Sequence, residues 1–190
     1  MKFIGDFSID PKICDRLMEL HRVCDRQGLV RQGEIYWGGQ PVTDVGRKES
    51  FDVIVGDVPE ALQNQHGVPE YTRELQRCTH EYVARFPHLR STVFGVRESP
   101  LIQHYRPGGG FKVEHFERSN AATATRALVW MTFLNDVTDA GGTRFVYQDA
   151  TFEARKGRTL IWPPDFTHTH VGVVSPSQHK YIITGWFNFT

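Results

Sequence analysis

The chain has 190 residues, 39% of them hydrophobic, which suits one domain with a sizeable core. Lys plus Arg and Asp plus Glu balance at 22 each, so there is no basic surplus to hold nucleic acid and no acidic tail to solvate. The three cysteines, Cys14, Cys24 and Cys78, form no CxxC pair and read as reduced thiols of a cytoplasmic protein, while no stretch approaches the roughly 18 apolar residues of a membrane span and the start lacks a signal-peptide core.

From Asp10 the pattern is helical. Asp10 is the N-cap, Pro11 sits in the first turn, and Ile13, Leu17 and Leu20 form one stripe that Gly28 stops. Residues 29 to 68 are rich in Gly, Gln and charge, with two short strands expected at Glu34 to Trp37 and Phe51 to Val55. Pro69 then opens a second helix in which Tyr71, Leu75, Cys78 and Tyr82 share a face, and Pro87 ends it. After residue 91 the chain breaks into nine short runs rich in Val, Ile, Phe, Tyr, Trp and Thr, from TVFGVRE to KYIITGWF. Short strands at this spacing argue for a β-sandwich or barrel. The expected fold is therefore mainly β with flanking helices: a double-stranded β-helix, the cupin-like jelly roll, with N-terminal helices packed on its outside. One domain spans 1–190, with 1–90 as helical support and a lid, and 91–190 as the roll.

The stretch QHYRPGGGFKVEHFE, residues 103 to 117, carries the chemistry. Side chains at i and i+2 share a face on a strand but point apart on a helix, so His115 and Glu117 chelate one ion only from extended chain. Two histidines and one carboxylate on one face of a metal is the arrangement of mononuclear non-haem iron oxygenases. A third ligand must come from a distant strand, and WPPDFTHTHVG offers His168 and His170, with His179 beyond. His168 and His170 share a strand face, so periodicity alone does not choose between them. Two histidines and a glutamate also suit zinc. The residues themselves thus leave an iron oxygenase, a zinc hydrolase or isomerase, and a non-catalytic binding module on the same roll all open.

The order of motifs around the pair is more specific. QHYRPGGGF, HFE, RALVWMTFLNDV, AGGTRF, HVG and HKYIITGWF, from Ile102 to Phe187, resemble the prolyl 4-hydroxylase-like group of iron and 2-oxoglutarate dependent dioxygenases. That group runs through a tyrosine, a Gly-rich turn, His-x-Asp, an arginine before a strand ending Leu-Asn, a Gly-Gly-Glu-Thr-x-Phe turn, His-x-Gly and a late basic residue. The resemblance implies Fe(II) held by His115, Glu117 and His170, with 2-oxoglutarate and O2 as co-substrates and ascorbate as a reductant. Lys180, ten residues after His170 and eight after Gly172, takes the place of the residue that binds the distal carboxylate of 2-oxoglutarate. The resemblance implies Tyr105 as a further co-substrate contact, with a core aromatic as the alternative, and Arg126 as a substrate-binding residue, with a structural ion pair as the alternative; Thr184, at even spacing from Lys180 on its strand, is read as a contact near the metal or co-substrate, and Trp186 as a substrate-binding wall of the channel or a core side chain. His168 becomes a neighbour of the site.

Three departures stand out. Glutamate replaces the usual aspartate at 117, Phe133 replaces a tyrosine before Leu-Asn, and Ala140 and Gly142 stand in the glycine-rich turn where a glycine and a glutamate are usual. The intact carboxylate favours hydroxylation over halogenation, since halogenating relatives vacate that position for halide. The implied reaction is hydroxylation of an unactivated C–H bond, most directly a prolyl residue of a peptide or protein, with a free amino acid or other small molecule as the alternative substrate. Residues 31 to 52 are expected to supply a lid, with Trp37, Arg47 or Lys48 as contacts.

Overall fold

The computed structural model describes residues 2–37 and 40–190; the side chains of Tyr36 and Trp37 lie outside the described residues. The chain begins with strand β1 (Gly5–Ser8) and helix α1 (Pro11–Arg26). Asp10 caps that helix by accepting from the Lys12 amide at 2.9 Å, and Gly28, at a φ of 71°, ends it. Next come β2 (Arg31–Gln32), β3 (Ile35–Trp37), β4 (Gln40–Val42), β5 (Lys48–Glu49), β6 (Phe51–Ile54), α2 (Glu60–Gln65) and α3 (Val68–Arg85). The second half supplies nine strands, as its composition suggests: β7 (Phe94–Val96), β8 (Leu101–Tyr105), β9 (Gly110–Phe111), β10 (Arg126–Phe133), β11 (Thr143–Phe145), β12 (Ala150–Phe152), β13 (Arg158–Trp162), β14 (His170–Gly172) and β15 (Lys180–Phe189).

The large sheet runs β1-β13-β10-β15-β8-β6-β2, with β7 pairing the far end of β15, and a small sheet runs β12-β11-β14. Both are antiparallel. Residues 1–90 are therefore more than helical support. β1 pairs with β13 and β6 with β8, so the first half extends the large sheet at both ends and covers edges that would otherwise stand open. These strands are two to four residues long, too short to announce themselves by alternation.

Strand β10 shows how the layers are held. Its Leu128 and Trp130 point outward into a core shared with Leu17, Leu20, Tyr71 and Leu75 of the helices, while Val129, Met131 and Phe133 point inward with Phe145, Phe152 and Trp162. A strand covered on both faces reads as a continuous hydrophobic run, which is what RALVWMTF is. On the helix side Tyr71 and Thr159 both reach the Thr132 hydroxyl, at 2.9 and 2.8 Å. Phe133, one of the departures from the resembled pattern, is fully buried in the inner core. The turn at 140–141 is kept, with Ala140 at φ 62° and Gly141 at φ 76°.

Gly185 on β15 lies opposite Trp130, and a Cβ there would sit 2.5 Å from the indole Cζ2. Because Trp130 is fully buried it has nowhere to move. Gly185→Ala is expected to destabilise the fold by about 1–3 kcal/mol through overpacking, measured by denaturant unfolding; an unchanged midpoint would show that the indole has slack.

Candidate metal centre

His115 and Glu117 do not lie on a regular strand. β9 ends at Phe111, and the extended segment after it is pinned by a few backbone bonds. His115 and His170 exchange amide-to-carbonyl bonds at 3.0 and 2.9 Å, and the Glu117 and Arg118 amides both donate to the Pro164 carbonyl at 3.0 Å. These bonds bring the His-x-Glu pair against the start of β14. The expected side-chain alternation holds all the same: the ligand atoms of His115, Glu117 and His170 lie within 4.8 Å of one another.

Each imidazole is set the same way. His115 Nδ1 is 2.9 Å from the Val113 carbonyl, and His170 Nδ1 is 2.9 Å from the His168 carbonyl. A carbonyl only accepts, so Nδ1 carries a proton in both rings, and in the neutral tautomer this leaves the lone pair on Nε2. Both Nε2 atoms face Glu117 Oε1, at 3.5 and 3.4 Å. Burial and the neighbouring His170 push His115 below its ordinary pKa, so it is neutral at pH 7. Burial works to raise the Glu117 carboxyl, but in the metal-free site a proton carried by either Nε2 pairs with Oε1, and this pairing holds the group well below the usual carboxylate range. Two imidazole nitrogens and one carboxylate oxygen on one face, with a cavity on the other side, fit a divalent iron that keeps positions open. Phe111 stacks on His115 at 3.6 Å between ring centres and holds its plane.

The cavity beside the ligands has a volume of about 870 Å³. Lys180 lines it, 4% exposed, with its ammonium 4.8 Å above the Tyr105 ring. Among the described residues no carboxylate lies within ion-pair distance of it, and burial pushes its pKa down to about 8. A buried ammonium without a counter-ion is costly unless a ligand supplies the charge. Gly172 keeps that space clear, since a Cβ there would lie 3.1 Å from the Phe111 carbonyl oxygen and 3.8 Å from Lys180 Nζ. Together these features fit the far carboxylate of a short dicarboxylic acid.

The structure also places the remaining residues singled out above. Tyr105 lines the cavity, but its hydroxyl donates to Gln103 Oε1 at 2.7 Å; Gln103 donates to Asp52 Oδ2 at 3.1 Å, and Lys48 bonds the same oxygen at 2.8 Å. Lys48 thus ties the wall together from within a buried ion pair. Thr184 faces the cavity while its hydroxyl donates to the Trp130 carbonyl at 2.8 Å. His168 is buried with its ring turned away, Nε2 lying 3.3 Å from the Lys2 carbonyl, so it serves the centre through its own carbonyl. His179 is exposed and pairs with His104 at 2.9 Å. Arg126 and Trp186 both line the cavity and both contact Glu117. Arg47 lines the cavity mouth beside Arg31 and Glu34; the side chain of Trp37 is outside the described residues.

Gln103, Asp52 and Glu98 were not anticipated. Gln103 shares a strand face with Tyr105, a signal available from alternation alone. Asp52 and Glu98 come from a separate strand and a turn, and nothing local marks them.

Comparison with known proteins agrees with this geometry. Residues 100–188 match the family model of the 2OG-Fe(II) oxygenase superfamily. Among solved structures, a prolyl hydroxylase from Trichoplax adhaerens, in complex with a hypoxia inducible factor oxygen degradation domain peptide fragment, superposes with a TM-score of 0.73 at 14% identity, covering 97% of this chain and 84% of that one. A Pseudomonas putida prolyl-4-hydroxylase gives 0.68 at 15% identity, covering 97% and 92%. The viral collagen prolyl hydroxylase of Paramecium Bursaria Chlorella virus-1, as its 2OG complex, gives 0.65 at 16% identity, covering 100% and 97%. Among curated proteins no sequence match is found. The fold is the double-stranded β-helix of these hydroxylases, and the likeness extends over the first half of the chain as well as the second.

Proposed function

We propose that this chain, whose residues 100–188 match the 2OG-Fe(II) oxygenase superfamily, hydroxylates a prolyl residue of a peptide or protein substrate. The cofactors follow from the family: Fe(II), with 2-oxoglutarate and O2 as co-substrates. The observation that carries the oxygenase reading is the pairing of a three-ligand face with the buried Lys180, which has no counter-ion among the described residues, in one cavity. Zinc hydrolysis has use for the first and none for the second. The choice of a prolyl substrate is supported by the likeness of nearly the whole chain to prolyl hydroxylases, one of them bound to a peptide.

When bound, Fe(II) with 2-oxoglutarate and O2 supplies the oxidising chemistry, in which the oxo acid leaves as succinate and CO2 and one oxygen atom enters a substrate C–H bond. The protein's share is orientation. His115 and His170 present unprotonated Nε2 atoms because their Nδ1 protons are held by backbone carbonyls, and Lys180 neutralises the distal carboxylate of the co-substrate. Met131, Ile182 and Trp162 give the cavity floor its apolar surface and limit water. Arg31, Ile35 and Arg47 line one wall of the cavity, and residues 31–37 and 40–52 are read as the lid that receives the substrate, with Lys48 fixed in its buried ion pair to Asp52 rather than free to contact it. The buried, unpaired cysteines support a reducing, cytoplasmic setting, and among the described residues no helix is long and apolar enough to cross a membrane.

The test is incubation with Fe(II), 2-oxoglutarate, ascorbate and a panel of proline-containing peptides alongside free amino acids. Succinate formed in step with a gain of one oxygen atom on a prolyl residue is the expected result. Hydroxylation of a free amino acid with every peptide untouched would replace the peptide reading by the small-molecule one.

A further inference from the structure

We propose that Arg126 and Trp186 are positioning residues that hold Glu117 as a one-oxygen metal ligand; this rests on reading His115, Glu117 and His170 as the iron site. Carboxylates bind metals through one oxygen or through both. Glutamate is one methylene longer than aspartate and has more freedom to swing into the two-oxygen mode. Here that freedom is removed. Trp186 Nε1 donates to Glu117 Oε2 at 3.0 Å, and Arg126 Nη1 lies 3.4 Å from the same oxygen while donating to the Glu117 carbonyl at 2.9 Å. Oε2 is thus taken by two donors, and Oε1 alone faces His115 and His170.

Arg126 is itself fixed. It is buried, its guanidinium lies 3.6 Å over the Trp186 ring, and Glu98 grips it through two bonds of 2.9 and 2.6 Å. Asn188 donates to Glu98 at 2.9 Å and holds that carboxylate in turn. A turn residue, the first residue of β10 and two residues of β15 therefore combine to decide which oxygen of Glu117 reaches the ion. The consequence is a position kept free. A co-substrate that chelates through two oxygens, together with O2, needs every place that one-oxygen ligation leaves open.

The test uses Mn(II) as the probe in the wild type, Trp186→Phe and Glu98→Gln, reading the water-proton relaxation of the loaded protein, which scales with the number of metal-bound waters. Trp186→Phe keeps a ring against Arg126 and deletes the donor to Oε2. The relaxation per bound ion is expected to fall by about a third as Oε2 displaces one of about three waters. Added 2-oxoglutarate should then abolish the remaining effect, whereas in the wild type one water persists. Glu98→Gln, which loosens Arg126 from outside the ligand set, is expected to fall less in the same direction. Unchanged relaxation in both variants with Mn(II) still bound would overturn the proposal. Failure of the wild type to bind Mn(II), or binding that survives His170→Ala, would overturn the iron-site reading and the proposal with it.

Discussion

His170→Ala is expected to weaken Fe(II) binding by more than about a hundredfold and to abolish turnover of 2-oxoglutarate, whereas His168→Ala leaves both unchanged. Loss of a group that merely orients a ligand already weakens metal sites by about 10- to 100-fold, so loss of a ligand does more. The two histidines stand two apart and differ only in where their rings point. His170 Nε2 is 3.4 Å from Glu117 Oε1, while the His168 ring reaches toward the Lys2 carbonyl. The His168 carbonyl that orients His170 is untouched by the substitution. Equilibrium titration with Fe(II) under anaerobic conditions checks the contrast, and equal loss in both variants would mean that the ligand has been misassigned.

Lys180→Met is expected to raise the Kd for 2-oxoglutarate by about a hundredfold, the scale of a charge-assisted, desolvated contact. The same substitution should stabilise the ligand-free protein. Burial lowers the Lys180 pKa from 10.5 to about 8. A lysine whose folded pKa lies below its unfolded one binds fewer protons folded than unfolded between those values, so the cost of burying its charge is full below about pH 8 and fades toward pH 10.5. At roughly 1.4 kcal/mol per unit this amounts to about 3 kcal/mol at neutral pH. Stability against denaturant should therefore separate Lys180→Met from the wild type at pH 7 and bring them together at the alkaline end. In the wild type, 2-oxoglutarate binding should be flat below about pH 8 and weaken by about tenfold per unit above it, as the ammonium loses its proton. A variant that binds 2-oxoglutarate normally would remove Lys180 from the site.

Much of the centre was legible because strand geometry and local chemistry are short-range. His115 and Glu117 share a face by alternation, and the resemblance singled out His170 and Lys180. Helix α1 was equally readable, since Asp10, Pro11 and Gly28 each act within one turn. What stayed hidden was long-range. Glu98 reaches Arg126 across 28 residues and Gln103 reaches Asp52 across 51, and no pattern in either stretch announces its partner. For the same reason Arg126 read equally as a substrate contact or one half of a structural ion pair, and Trp186 as a channel wall or a core side chain, while their bonds to Glu117 appear only once β10, β15 and the ligand segment are assembled. The run FKVEHFE reads as one strand, yet only Gly110–Phe111 pairs regularly there. The rest is extended chain held by Pro164 and His170, which preserves the facing of the side chains without a continuous ladder.

The most direct measurement is anaerobic addition of Fe(II) and 2-oxoglutarate to the apoprotein, followed by visible absorption. A weak charge-transfer band that requires both additions, vanishes in His170→Ala and needs far more 2-oxoglutarate in Lys180→Met is the expected result. Absence of the band in the wild type, with tight zinc binding in its place, would contradict the iron and 2-oxoglutarate assignment and return the site to hydrolase or isomerase chemistry.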